Sequence, residues 1–546
     1  MSFDEEQCRI GLTSTIFNGN VFVVLGTIVG SLFSAAIGAN DVANSIGTSI
    51  GSGALTLKQA IVLASIFEFI GSYFLGGQVT KAIASGLLKT ELFTDPLLYI
   101  AGSFSALTAG FFWLFGATLT GLPVSTTHCI VGAVVGFALA QHGFSSVLWY
   151  PRIAQIAASW VLSPTLGGLI AFILFKITAR LCFNSQNPIK RTIALMPSFF
   201  AVSMFIFSLF FVSKGLKNID FFKNMSMTTT LIIALGIAAI SYIIHYIFFR
   251  PRMSTEIPQN LIEKHRPHLS IDLFRPPMVS MAVGEQRRTE SIEEVKTRVS
   301  TDEVAVNVSD REEMNVPADS ELTVRPSPAE RPSVDPLITT EVVVESKEVE
   351  NKEEEKMEKI EEIYDQKFQE QLFKKLQRKS ADRLFAPLQI LSCAFVATAH
   401  GSNDVANASG PLAAIISTFN DRVVASEDAT LAPWVIFMAA ISLTIGLAVL
   451  GHRVIATVGT GITKITNLNG FCVQLAVACT VLLASSLSLP VSTSHILVGA
   501  VIGQSFARKT AVNWGKVKNI IVSWIVTLPI AIVTTIIIYK LISFGL

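Results

Sequence analysis

The sequence predicts an all-α polytopic membrane protein, with about 12 transmembrane helices in two inverted-topology repeats with broken helices. Three observations carry this. The mean hydropathy is +0.54, with 51% hydrophobic residues. Charged residues make up 15% of the 546, where a soluble chain carries about a quarter. Two motifs each occur twice, in the same order. The charge is also unevenly spread. Residues 250–384 hold 22 Lys/Arg and 29 Asp/Glu, which leaves 20 basic and 12 acidic residues among the other 411. Such a composition excludes a soluble globular enzyme, a nucleic-acid binder and a secreted disulfide scaffold. Five of the six cysteines lie in or beside apolar segments and none forms a CxxC pair, so neither a metal centre nor a disulfide framework is indicated. The acidic Asp4, Glu5 and Glu6 replace the basic region of a cleavable signal, so the first span is expected to insert uncleaved.

A bilayer core takes about 20 mostly apolar residues per spanning helix. By that measure the first repeat, 1–249, contains segments near 20–38, 60–77, 97–120, 123–141, 153–175, 197–213 and 228–249. The second repeat, 385–546, contains segments near 385–400, 433–450, 470–488, 490–507 and 519–543. The segments at 123–141 and 490–507 begin with polar motifs, so a re-entrant course is open for both. Between the repeats, 250–384 is a linker rich in Pro, Ser and Glu, and its composition predicts disorder up to about 340. Near 344–376, Met357, Ile360, Tyr364, Phe368, Leu372 and Leu376 recur at three-to-four spacing, the pattern of an amphipathic helix. The linker reads chiefly as a solvated spacer.

Basic residues flank the cytosolic ends of spans. With twelve spans and a cytoplasmic linker, both termini face outward, and 11 of the 20 basic residues outside the linker lie inside against nine outside. The linker ends, 250–266 and 374–383, bring the balance to 20 against nine. A cytoplasmic linker is therefore expected.

The duplication is the strongest signal. Asn40-Asp41-Val42-Ala43-Asn44 returns as Asn403-Asp404-Val405-Ala406-Asn407, and Pro123-Val124-Ser125-Thr126-Thr127-His128 as Pro490-Val491-Ser492-Thr493-Ser494-His495. The Asp-to-His spacing is 87 in one half and 91 in the other. Seven crossings separate the two Asn-Asp segments, an odd number, so they enter the membrane in opposite directions. Inverted repeats of this kind are common in secondary transporters, whose sites lie near the midplane.

Of the 12 acidic residues outside the linker, Asp41, Glu68 and Asp404 lie in or at the edge of apolar segments. An ionisable group at that depth costs several kcal/mol and usually faces a cavity or a partner. Gly38, Gly47, Gly51 and Gly53 surround the first Asp, and Gly401 and Gly410-Pro411 the second. These small residues predict helix breaks at depth, tolerated where backbone lines a cavity. Freed carbonyls with Asn and Asp oxygens are hard ligands, which favours an alkali cation, Na⁺ first. His/Cys clusters are missing from the pattern, so no transition-metal site is expected. In the Pro-Val-Ser motifs, Pro suits a first helical turn and the hydroxyls suit its cap. Ser125, Thr126 and Thr127 facing Ser492, Thr493 and Ser494 would form an anion pocket at two positive helix ends. No Lys or Arg lies near either motif, so cations would supply the counter-charge. His128 and His495 read equally as donors to an anion or as packing residues.

These residues, Gly38-Ala-Asn-Asp-Val-Ala-Asn-Ser with Gly47-Thr-Ser-Ile-Gly-Ser-Gly, the second Asn-Asp-Val-Ala-Asn and both Pro-Val-Ser-Thr motifs, strongly resemble the inorganic phosphate transporter family of sodium/phosphate symporters. The resemblance covers both membrane halves and not the linker. It implies twelve spans in two inverted repeats, outside termini, a large cytoplasmic loop and alternating access. It also implies phosphate binding by the hydroxyl clusters with Asn44 and Asn407. Cation binding falls to Asn40, Asp41, Asn403, Asp404, Gln474 and Glu68, the last matching a Glu of the family's second span. Two departures stand out. Gln474 occupies a position where the family usually has Glu, and Ser103 one where animal relatives have Glu. An amide cannot titrate or supply a full charge, so altered cation number, selectivity or proton dependence is expected at Gln474.

The resulting expectation is Na⁺-coupled symport of phosphate into the cytosol, in the plasma membrane. The alternatives are H⁺ coupling in the same fold, or a non-transporting phosphate sensor. No enzyme pattern and no cofactor is expected; the transported ligands are phosphate and Na⁺, with H⁺ open. The bilayer and phosphate are the expected partners, nucleic acid is not, and a homodimer is one option for the assembly.

Overall fold

Helix ends in this chain are set by local chemistry that the apolar runs alone do not specify. In the computed structural model, residues 19–84, 86–215, 222, 224–256, 368, 370–424, 431–452, 454–455 and 462–546 are described. The chain divides into Met1–Gln259 with Phe373–Leu546, which contains the membrane body, and Asn260–Leu372. The amphipathic pattern near 344–376 lies outside the described residues except at its end, where a helix covers Glu370–Arg383.

The helices of the first half are α1 (Gly19–Gly51), α2 (Leu57–Leu75), α3 (Gly77–Ala84), α4 (Pro96–Leu119), α5 (Thr126–His142), α6 (Ala154–Cys182), α7 (Pro188–Lys214) and α8 (Met227–Ile244). After α9 (Glu370–Arg383) come α10 (Ala386–Asp421), α11 (Pro433–Leu450), α12 (Asn467–Ser486), α13 (Thr493–Arg508) and α14 (Trp514–Ser543). Thr56 and Gln59 form a capping box at α2, and Asp95 caps α4 ahead of Pro96. Asn187 does the same for α7 ahead of Pro188. Each cap satisfies N–H groups that a helix start leaves orphaned.

Among the described residues, nine helices are long and apolar enough to cross a membrane, and α9 with α10, bent by 43°, makes a tenth. The segments at 123–141 and 490–507 became α5 and α13, of 17 and 16 residues. A spanning helix takes about 17–25 residues, so α5 sits at the lower limit and α13 just below it.

The helix breaks lie elsewhere than the small residues around the Asn-Asp motifs predict. Neither Asn-Asp motif interrupts its helix: α1 runs unbroken through Asn40–Asn44, and α10 through Asn403–Asn407 and Pro411. The small residues serve close approach instead. A Cβ on Gly38 would strike the Leu443 carbonyl of α11, and one on Gly401 the Glu68 carbonyl of α2. The breaks lie before the half-helices, at 120–125 and 487–492.

α1 and α10 run antiparallel. Near one end Gly26 and Gly30 face Ile415 and Leu412, and near the other Thr48 and Ser52 bond Gln389. The half-helices pack on the opposite half. Gly132 and Gly136 of α5 lie against the Leu528 and Ile532 carbonyls of α14, and Gly499 and Gly503 of α13 against Pro164 and Gly168 of α6. Such Gly-xxx-Gly seams let backbones meet where lipid offers no hydrophobic drive. Outer helices α6, α8 and α14 expose Val161, Ile232 and Ile525, whereas α12 is almost entirely buried. Gly503→Leu is expected to cost at least about 1–3 kcal/mol by overpacking the α13–α6 seam. Loss of monodisperse protein in detergent, with a lowered melting temperature, checks it.

Candidate functional site

α1 and α10 bring their Asn-Asp motifs side by side, and the amino ends of α5 and α13 close over them. Every predicted residue of the four motifs is buried. Asn40 and Asn403 act alike. The Asn40 amide oxygen accepts from the Val124 N–H at 3.1 Å while its NH₂ donates to the Leu122 carbonyl at 3.0 Å. The Asn403 oxygen accepts from the Val491 N–H at 3.2 Å while its NH₂ donates to the Val491 carbonyl at 2.7 Å. Both asparagines therefore hold the broken strand that precedes a half-helix.

Ser125 and Ser492 are the caps of α5 and α13, accepting from the N–H groups of His128 and His495. This matches the cap geometry expected of a hydroxyl before a helix. The remaining hydroxyls reach the opposite half. Asn44 donates to Ser494 Oγ at 2.9 Å, and Asn407 to Thr126 Oγ1 at 3.1 Å. Ser494 donates to Asp41 at 3.3 Å, Thr493 to Asp404 at 3.1 Å, and Thr127 to the Val491 carbonyl at 2.9 Å. Hydroxyls of one repeat meet carboxylates and amides of both.

A residue missed by the sequence reading sits at the centre. His400, on α10 one turn before Asp404, places Nε2 2.7 Å from Asp404 Oδ2 and Nδ1 3.1 Å from Glu68 Oε1. These are ion-pair distances without hydrogen-bond alignment. Asp41, His400 and Asp404 each bring one ligand atom within 4.8 Å of the others. The sequence pattern holds no His/Cys cluster, whereas the fold brings one histidine to the two carboxylates. The i,i+4 spacing of His400 and Asp404 was the available signal; Glu68, on another helix, was invisible to it.

The arrangement is one-sided. His400 stands three residues before Asn403, where the first half has Ile37 three before Asn40. Glu68 offers its carbonyl to Gly401 as Leu443 does to Gly38. The α2–α10 interface thus carries a Glu–His pair where the α1–α11 interface carries Leu and Ile, all four fully buried.

Glu68 Oε1 also accepts from Ser45 Oγ at 2.7 Å. Gln474 lies in the adjoining layer and touches neither Asp through a hydrogen bond. Its NH₂ donates to Ser49 Oγ at 2.8 Å and to the Ser45 carbonyl at 3.3 Å, and its oxygen accepts from Ser392 at 3.0 Å. Three buried acceptors, Asp41 Oδ2, Glu68 Oε2 and Asn407 Oδ1, have no hydrogen-bond partner among the described residues. Unpaired buried acceptors are costly, and carboxylate and amide oxygens are the kind of ligand a hard cation takes.

Behind the caps, His128 and His495 pack ring to ring with centroids 4.7 Å apart, against Trp160 and Trp524 respectively. His495 Nδ1 lies 3.2 Å from the Trp160 carbonyl. Both rings are packed, and His128 Nδ1 and His495 Nε2 have no hydrogen-bond partner among the described residues.

A family model described as the phosphate transporter family matches residues 37–535. A putative phosphate permease of Haemophilus influenzae is 32% identical over 523 residues, spanning 95% of this chain and 96% of that one. Sodium-dependent phosphate transporter 1 of Mus musculus is 28% identical, spanning 93% of each chain. A solved structure titled the sodium-dependent phosphate transporter aligns with a TM-score of 0.68 at 29% identity, covering 96% of this chain and all of the other.

Proposed function

Since the chain belongs to the phosphate transporter family, and is an integral membrane protein and not an enzyme, we propose that it carries inorganic phosphate into the cytosol together with Na⁺, by alternating access. The observation that carries this reading is the set of buried, unpartnered acceptors Asp41 Oδ2, Glu68 Oε2 and Asn407 Oδ1 beside two hydroxyl-capped helix starts. Na⁺ takes the acceptors. The phosphate oxygens take the hydroxyls of Thr126, Thr127, Thr493 and Ser494 and the amides of Asn44 and Asn407, helped by the positive ends of α5 and α13. In place of Lys or Arg, the bound Na⁺ supplies the counter-charge, so phosphate binding needs the cation. Asn40 and Asn403 position the half-helices. The motif helices α1 and α10, antiparallel, stand as counterparts in two inverted repeats. The linker is cytoplasmic, both termini are outside, and the membrane is the plasma membrane.

Proteoliposomes given radiolabelled phosphate test this, with a Na⁺ gradient and a pH gradient imposed separately. Uptake driven by Na⁺ is expected. Uptake driven by the pH gradient alone replaces Na⁺ by H⁺, and phosphate binding without uptake under either gradient makes the protein a sensor.

Gln474 supplies a second test. A Glu there would lose the donors to Ser49 and Ser45 and place a second carboxylate in the layer beside Glu68. Gln474→Glu is expected to shift the half-saturating Na⁺ concentration about tenfold, equivalent to roughly 1.4 kcal/mol. An unchanged Na⁺ curve for uptake would remove Gln474 from the cation pathway.

A further inference from the structure

Helix α9 ends where two spans begin. It meets α10 at 43°, and Asp382 in its last turn caps α12. The Asp382 carboxylate accepts from Thr466 Oγ1 at 2.7 Å and from the Asn467 and Leu468 N–H groups at 3.1 Å. Since α10 and α12 both start there, the end of α9 lies at the edge of the bilayer. Residues 373–383 contain five Lys/Arg and one Asp. Ala381 and Gln377 face the body, while Lys375, Arg378, Lys379 and Arg383 are exposed. Leu376, 39% exposed, lies on the same outward side.

The surroundings share that sign. Asn513 N–H donates to the Ile462 carbonyl and Arg508 to the Lys464 carbonyl, which places the ends of α13 and α14 on the face where Asp382 caps α12. Lys464, Lys509, Lys516 and Lys518 are exposed there. A basic helix with an outward leucine, lying along the start of two spans, has the charge and apolar content that an anionic leaflet recognises.

We propose that the outward face of α9 binds anionic lipid headgroups, with Leu376 entering the acyl boundary and Lys375, Arg378, Lys379 and Arg383 pairing with phosphate or carboxylate groups. Asp382 carries the consequence inward. It fixes the start of α12, and α12 bears Gln474, whose amide holds Ser45 and Ser49 on the helix of Asp41. Lipid on α9 therefore biases the register of α12 against α1. The lipid site stands on the geometry of α9 alone; its effect on uptake rests on the function proposed above.

Full-length protein in nanodiscs of phosphatidylcholine, with or without phosphatidylserine, separates these two statements. Amides of residues 373–383 are expected to exchange with deuterium at least about fivefold more slowly in the anionic discs, the preference that one basic residue at such a surface confers. The variant Lys375→Gln/Arg378→Gln/Lys379→Gln abolishes that difference and leaves phosphate uptake in neutral liposomes unchanged. Asp382→Asn keeps the slowed exchange but loses the dependence of uptake on anionic lipid. Equal exchange in the two discs overturns the proposal, as does slowing that survives the triple variant. Slowing already present in neutral discs would mean that protein covers α9, and slowing erased by excess inorganic phosphate would mean an ion site; both also overturn it.

Discussion

Asp41→Asn and Asp404→Asn are each expected to lower Na⁺-driven phosphate uptake by about two orders of magnitude, equivalent to roughly 3 kcal/mol, the scale of losing one partner of a buried charged contact. The substitution keeps shape and removes charge. At Asp41 the loss is one of ligation. Its Oδ1 accepts from Asn44 and Ser494, and its Oδ2 has no hydrogen-bond partner among the described residues, so the folded protein loses little when the charge goes. Asp404 is different, because its oxygens accept from Asn403 at 2.6 Å and Thr493 at 3.1 Å and face His400 at 2.7 Å. Asp404→Asn should therefore lower thermal stability as well as uptake, whereas Asp41→Asn should lower uptake alone. Radiolabelled uptake normalised to purified protein, with a melting curve for each variant, checks both. Normal transport by either variant would refute its place in the ion site.

His400→Ile is expected to destabilise the protein by about 3–5 kcal/mol, the cost of removing one partner from a buried ion pair. Glu68 and Asp404 would be left without the ring that separates them. The α1–α11 interface shows the remedy, since Ile37 and Leu443 fill the corresponding places with apolar side chains. The double variant Glu68→Leu/His400→Ile should recover most of that stability, because replacing a buried pair by packed apolar residues is often neutral. Uptake should not recover. Thermal melting in detergent separates the single from the double variant, and a double variant that transports normally would reduce the Glu68–His400 pair to packing.

The motifs made the site legible before the fold was known. Asn40, Asp41, Asn403, Asp404 and the hydroxyl clusters recur at matched spacing, and the helices do bring them together. What the sequence hid was contact between distant helices. His400 gains its meaning from Glu68 on α2, and no periodicity along α10 points there. Gly38 and Gly401 were ambiguous for a different reason. A small residue permits both a helix break and a close helix crossing, and only the carbonyls of Leu443 and Glu68 decide for the crossing. The half-helices were legible as uncertain, because the segments at 123–141 and 490–507 begin with polar motifs. Gln474 was placed by resemblance among cation ligands, while its amide is taken up by Ser45, Ser49 and Ser392.

The cross-pairing of Asn44 with Ser494 and of Asn407 with Thr126 has a consequence for heredity. Under the proposed function neither half holds a finished anion site, because Asn44 and Asn407 each bond a hydroxyl encoded some hundreds of residues away. A substitution at Asn44 or Asn407 therefore alters a contact made by the other motif copy. The two copies are not identical in their contacts, since the α2–α10 interface sets Glu68 against His400 where the α1–α11 interface has Leu443 and Ile37. Duplication supplied two similar parts, and the exchange of partners between them made a single indivisible one.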